Sequence, residues 1–214
     1  MAKLPEPPSY AILAQIPPVT VTLQAGKEVS RVFFADKDYP STWDGFRFYG
    51  PTASRFDHHL LDDQGNSTIQ DRGIMYLATE SLAAPTCLAE VFQEKRTIDR
   101  LSGLPTYVGF PLDAEIELLD LTNTFVTALG ASTAIHSGPR SRTRRWTQQL
   151  YLAYPNIDGI LYCSSMYGNA PAIALFERGQ RAVPTHNLIH RELRDAAMAS
   201  VIAMTARTIN YAVV

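Results

Sequence analysis

The sequence predicts an α+β domain, on three observations. Short apolar runs of strand type are mixed with helical stretches along its 214 residues, without a regular βαβ alternation. Hydrophobic residues make up 46% of the chain, enough for one sizeable core and too many for disorder. Residues 74–94 run from a buried-type strand straight into a helix, and the polar residues that suggest chemistry are grouped around that stretch.

Residues 1–18 are rich in proline and read as an extended arm over the surface, followed by an alternating strand from Val19 to Leu23. Arg31 to Phe34 reads as a second strand. A loop with Pro40, Trp43 and Gly45 leads to a third strand, Phe46 to Tyr49, and then to a turn at Gly50 and Pro51. Ser54, Arg55 and Phe56 follow, and residues 57–73 read as a long polar loop, a lid or a decoration. Ile74 to Ala78 is the central strand. Thr79 or Ser81 is placed to cap the helix after it, and Pro85 is tolerated there if the first turn begins near Ala83 or Ala84. That helix carries Glu90 at the rim of an apolar face, where partial desolvation could tune it; a solvated helix glutamate is the alternative.

Beyond the helix, Gly103 and Pro105 read as breakers, and Ala114 to Leu121 as a strand. Thr122 or Asn123 caps a short helix. Residues 137–145 then lead into Trp146 and an amphipathic helix through Tyr154. Asp158 and Gly159 turn into the strand 160–163, which pairs as a hairpin with 172–176. Residues 187–206 read as helical, and 209–214 as a terminal strand.

A net charge of −2 excludes any global attraction to nucleic acid or an anionic membrane. The prolines of the first 18 residues interrupt any signal-peptide core, and no window is long enough to span a bilayer. Cys87 and Cys163 have neither metal-ligand nor redox spacing and read as reduced and mostly buried, which suits a cytoplasmic protein and leaves the Asn66-Ser67-Thr68 sequon without meaning. Fifteen arginines against four lysines favour recognition of phosphate or carboxylate, although genomic codon bias gives the same ratio. Arg140, Arg142, Arg144 and Arg145 could grip a nucleic-acid backbone, but a solvated face or partner contact suits this acidic chain better. His58 and His59 beside Asp57, Asp62 and Asp63 lack the spacing of a metal site, so no metal is expected. His136 is isolated, and His186 and His190 read as surface residues at a helix start. Ser164 and Ser165 end a strand in a Gly-containing loop without the flanking glycines of a nucleophile elbow, so a serine-hydrolase reading is weak.

In order along the chain, these pieces resemble the RES domain family, named for an arginine, a glutamate and a serine. Arg31-Val32 resembles its opening strand and Ser54-Arg55-Phe56-Asp57 its Gly-Arg-Phe/Trp-Asn element. Ile74 to Ala78 resembles its Val-Tyr-Ala strand, Glu90 its glutamate, and Glu117 to Leu121 its Leu-Asp-Leu strand. Asp158 to Ser165 resembles the segment that bears the serine, with Ser164 preferred over Ser165. Glu80 competes with Glu90 but lacks its apolar context. The chain departs from the pattern in a longer interval between Arg55 and Tyr76, and in Ser54, which stands where the family has glycine.

The resemblance implies an arm and first strand over residues 1–30 and a catalytic domain over 31–214. The implied fold is ADP-ribosyltransferase-like, with two sheets around a cleft that holds NAD as substrate. The family's members are bacterial toxins paired with Xre-type antitoxins, so an antitoxin partner is implied, in a toxin–antitoxin complex or beside a homo-oligomer. Glu90 would stabilise the ribosyl cation left when nicotinamide departs. Arg55 would hold the pyrophosphate, with Arg31 or Arg47 as a second phosphate contact. Tyr76 would pack on the nicotinamide end, and Ser164 would bond near its ribose. The activity implied is hydrolysis or phosphorolysis of NAD. Transfer of ADP-ribose to a protein is the second reading, and a non-enzymatic nucleic-acid-binding module the third.

Overall fold

The computed structural model describes residues 3–37 and 40–214. Its elements are α1 (Tyr10–Leu13), β1 (Thr20–Leu23), β2 (Glu28–Phe34), β3 (Arg47–Gly50), β4 (Thr68–Thr79), α2 (Ala83–Val91), β5 (Thr97–Ile98), β6 (Pro105–Pro111), β7 (Ile116–Asp120), α3 (Phe125–Ala128), α4 (Arg140–Ala153), β8 (Gly159–Cys163), β9 (Pro171–Phe176), β10 (Ile189–Glu192), α5 (Ala199–Ile209) and β11 (Ala212–Val213). Strands and helices are mixed, as an α+β chain requires. Nine strands form one sheet in the order β1-β7-β8-β9-β4-β2-β6-β10, with β3 on β4, and β5 and β11 make a small second sheet.

The two large sheets implied by the family resemblance are therefore one hydrogen-bonded sheet with a weak seam. β4 pairs with β9 from Ile74 to Ala78, and β2 pairs with β6 over its whole length, Glu28 to Phe34. Between them, β2 and β4 share only Val29↔Thr79 and Ser30↔Ala78. Past those two pairs each strand follows its other neighbour, and the space between them is the cleft.

Three cores stabilise this arrangement by burying apolar surface. One lies under α4, whose buried Thr143, Trp146, Thr147, Leu150 and Ala153 recur at helical spacing. Leu4 and Leu13 of the N-terminal arm join it. The arm is tied to α4 by Trp146 Nε1, which donates to the Pro5 carbonyl at 2.9 Å, and by Glu6, which accepts from Arg142 and Arg145. A second core packs α2 and α5 together, and a third lies against the sheet around Phe110 and Leu175.

Several sequence expectations are corrected. β6 was hidden by Gly103 and Pro105, but proline suits the first residue of a strand, where Pro105 pairs with Phe34 and accepts from Leu193 N. Residues 189–192 are an edge strand on β6, so α5 begins only at Ala199 and His186 and His190 share no helix face. α2 does start at Ala83 with Pro85 in its first turn, yet its N-cap is Leu82 without a side-chain cap, because Thr79 Oγ1 donates instead to the Glu28 carbonyl. The polar loop ends early, since β4 starts at Thr68, and its first residues are not solvent-facing: Asp57, His58 and His59 are fully buried. Gly50 makes that burial possible, because a Cβ there would lie 2.5 Å from the His59 ring.

Candidate active site

Glu90 is carried on the last turn of α2, where its half-buried side chain reaches the cleft. Ser164 follows β8 and is fully buried. The β8–β9 hairpin closes through Gly168 and Asn169, both with left-handed backbone (φ 52° and 61°), a conformation that glycine and asparagine adopt most readily. This brings the Met166 and Tyr167 amides onto Ser164 Oγ, at 3.2 and 3.1 Å. With its lone pairs engaged, the hydroxyl directs its proton to Glu90 Oε1 at 2.6 Å. Ser165 is exposed and takes no part in this contact.

The cavity beside Glu90 is walled by Arg31 from β2, Tyr76 from β4, Thr86 and Cys87 from α2, and Tyr162 from β8. Arg31 Nη1 donates to the carbonyls of Gly45 and Trp43, but its Nε is buried without a partner. Burial holds the Arg31 pKa down to about 10. The Tyr76 hydroxyl is also buried and, although near Ser54, meets no well-formed partner. Burial pushes its pKa up, as it does for Tyr162, where the Glu90 charge adds to the effect. Cys87 is likewise raised by burial, to about 12, so it lines the wall as a thiol. Two orphaned polar groups on one cavity, beside a carboxylate, mark a place for a polar ligand.

Arg55 does not line this cavity; its Nη1 donates to the Gly138 carbonyl at 2.5 Å. Burial lowers its pKa, the nearby Arg140 adds to that, and Glu90 opposes it. The structure thus brings Glu90, Ser164, Arg31 and Tyr76 together, with Arg55 within electrostatic reach. Arg47 is within electrostatic reach of Tyr76 but turns its donors elsewhere. Its guanidinium is committed to Asp57 at 2.9 Å and to the Tyr49 carbonyl. The arginine cluster is divided: Arg142 and Arg145 pair with Glu6, while Arg140 donates to Gln93 at 2.6 Å. A larger recess of about 340 Å³ lies at the opposite end of α2, beside Ser30 and Tyr107, and does not reach Glu90. Among the described residues no three His, Cys, Asp or Glu side chains converge on a metal-sized space, and no helix is long and apolar enough to cross a membrane.

The RES domain model matches residues 28–195. The chain belongs to the RES domain family. The RES match begins at the first residue of β2 and takes in every group described around the cavity. Among solved structures, this RES chain is similar to a chain of the crystal structure of the M. tuberculosis MbcT–MbcA toxin–antitoxin complex. The TM-score is 0.55 at 16% identity, over 85% of this chain and 92% of that one. The likeness is one of fold. A comparison with curated proteins returned no match.

Sequence reading missed three residues of this RES site: Tyr162, Gln93 and Arg140. Tyr162 stands two positions before Ser164 on a strand, and so shares its face, which was a usable signal. Gln93 is one turn beyond Glu90, also legible in principle. Arg140 reaches the site only because its side chain, on the first residue of α4, meets Gln93 and Glu94 just past the end of α2.

Proposed function

We infer that this protein is a toxin-like enzyme that cleaves the nicotinamide–ribose bond of NAD, with water or inorganic phosphate as acceptor, and that an Xre-like antitoxin restrains it. The observation that carries this reading is the Ser164–Glu90 hydrogen bond at the edge of a cavity where Arg31 Nε and the Tyr76 hydroxyl have no protein partner. Family membership and the fold shared with a toxin–antitoxin complex support it.

The chemistry asks little of the protein beyond charge and position. The nicotinamide–ribose bond breaks with its electron pair going to the ring nitrogen, so a cationic pyridinium leaves as a neutral molecule and no acid is needed. The ribosyl carbon becomes oxocarbenium-like, and a fixed carboxylate lowers the energy of that state. Glu90 is placed for this role, held by Ser164 so that its charge is aimed before the bond breaks. Water or phosphate then adds to the ribosyl carbon, and the proton lost by water goes to Glu90 or to solvent. Tyr76 and Tyr162 offer aromatic walls for the nicotinamide end, Arg31 a donor on the cavity wall, and Arg55, outside the cavity but within electrostatic reach of Glu90, a cation for the diphosphate.

The test is nicotinamide release from NAD by purified protein, with and without inorganic phosphate, beside Glu90→Ala. Release is expected from the wild type and to fall by about 10² to 10³-fold or more in the variant. Its dependence on phosphate names the acceptor. Folded wild type that releases no nicotinamide under either condition overturns the reading.

A further inference from the structure

The Glu90 carboxylate is held at both oxygens, and only one of the two holders is the serine of the family pattern. Gln93 stands just past the end of α2. Its Nε2 donates to the Glu90 carbonyl at 2.6 Å and to Glu90 Oε2 at 3.3 Å, opposite the Ser164 hydroxyl on Oε1. The amide has one workable orientation. Arg140 Nη2 donates to Gln93 Oε1 at 2.6 Å, and a flipped amide would set its NH2 against the guanidinium and its oxygen against the carboxylate. Arg140 is itself tethered. Its Nη1 lies 3.5 Å from Glu94, and it follows by two residues the Gly138 carbonyl that receives Arg55.

We propose that Gln93 is a positioning residue for Glu90, its amide oriented by Arg140, so that Ser164 and Gln93 fix the plane of the carboxylate from opposite sides. The proposal rests on the NAD-cleaving reading and deepens it. A glutamate at the end of a helix has three side-chain torsions, and one hydrogen bond leaves rotation about its own axis free. A second donor on the other oxygen removes that rotation. The gain appears in the step where the ribosyl cation forms, because a displaced carboxylate still admits substrate but meets the cation less well.

The test compares wild type with Gln93→Leu, which keeps the bulk and loses the donor, and with Arg140→Met, which keeps Gln93 and releases its amide. Gln93→Leu is expected to lose about 10- to 100-fold in kcat while the KM for NAD stays within about threefold, as for loss of an orienting partner elsewhere. Arg140→Met is expected to show the same split with a smaller loss. Thermal midpoints, read alongside, separate this from damage to the fold; if Gln93→Leu does not fold, Arg140→Met decides. An active wild type whose variants keep their kcat, or lose only KM, overturns the role of Gln93 and leaves the reading of the site standing. A wild type that releases no nicotinamide overturns both.

Discussion

β4 passes two polar clusters, and the carboxylates at their centres, Asp57 and Glu90, are held on opposite rules. At one, Asp57 receives hydrogen bonds from Arg47, from the Thr52 amide and hydroxyl, and from the His59 amide and ring. Glu177 beside it accepts from the Gly73 amide of β4 and the Tyr151 hydroxyl. Asp57 is saturated by these five donors, whereas Glu177 has two, and at both carboxylates burial, which alone would raise the pKa, is outweighed. Donors from His59, Arg47 and Thr52 hold Asp57 well below the usual carboxylate range, and the nearby His58 ring with donors from Tyr151 and Gly73 holds Glu177 down to about 2. At the other cluster, Glu90 has only Ser164 and Gln93, beside the unpaired Arg31 Nε and Tyr76 hydroxyl; the unpaired atoms of the first cluster are ring nitrogens of His58 and His59, and none is left on the Asp57 carboxylate. A carboxylate offers about four acceptor sites, so one whose sites are filled by the protein is a strut, and one with sites left over is available to a ligand.

Substitutions at matched positions sharpen that contrast. Glu90→Gln is expected to lose turnover by about 10² to 10³-fold, worth about 3–4 kcal/mol in the barrier, with its urea midpoint little changed. Asp57→Asn should do the reverse, losing about 3 kcal/mol of stability in urea unfolding, because it removes a fully buried charge that pairs with the partly exposed Arg47 and accepts four further hydrogen bonds. Equal stability losses in the two variants would sink the distinction. His58 provides a pH test of the saturated cluster. Burial lowers its pKa from 6.5 to about 4, with Glu177 opposing in part. The unfolded chain therefore binds the proton more readily, and this stability, intact above pH 6.5, is lost as pH falls toward 4. His58→Phe keeps a ring against Tyr151 and Phe176 and should flatten the melting temperature across that window. Glu177 adds a further loss from about pH 4.5 down to 2. The smallest effect is expected for Ser165→Ala, whose nicotinamide release should match wild type while Ser164→Ala falls by at least tenfold, about the value of one charge-assisted hydrogen bond.

Much of the open cluster was legible in the sequence, because its elements obey local rules. An apolar run before a helix gave β4 and α2, and paired strand runs around a Gly-containing loop gave the hairpin that carries Ser164. The saturated cluster was not legible. Asp57, His58 and His59 read as a polar loop, since nothing in their order announces that Gly50, Arg47 and Glu177 will enclose them. β6 was lost to a local rule applied too strictly, proline being a breaker inside a strand but not at its start. Arg140 and Gln93 show the remaining limit: each is unremarkable in its own segment, and only their meeting across 47 positions makes them part of the site.

The pairing of β4 with β9 has a consequence for the order in which the molecule is made. Glu90 leaves the ribosome well before its partner, for Ser164 lies 74 residues later, and the edge of β4 away from the cleft is covered only by strand β9 beyond that. A nascent chain therefore carries the glutamate without the serine that aims it, and without the hairpin that walls the cleft. Synthesis itself leaves the site unassembled until β9 has been made, so the cavity exists only in nearly complete molecules.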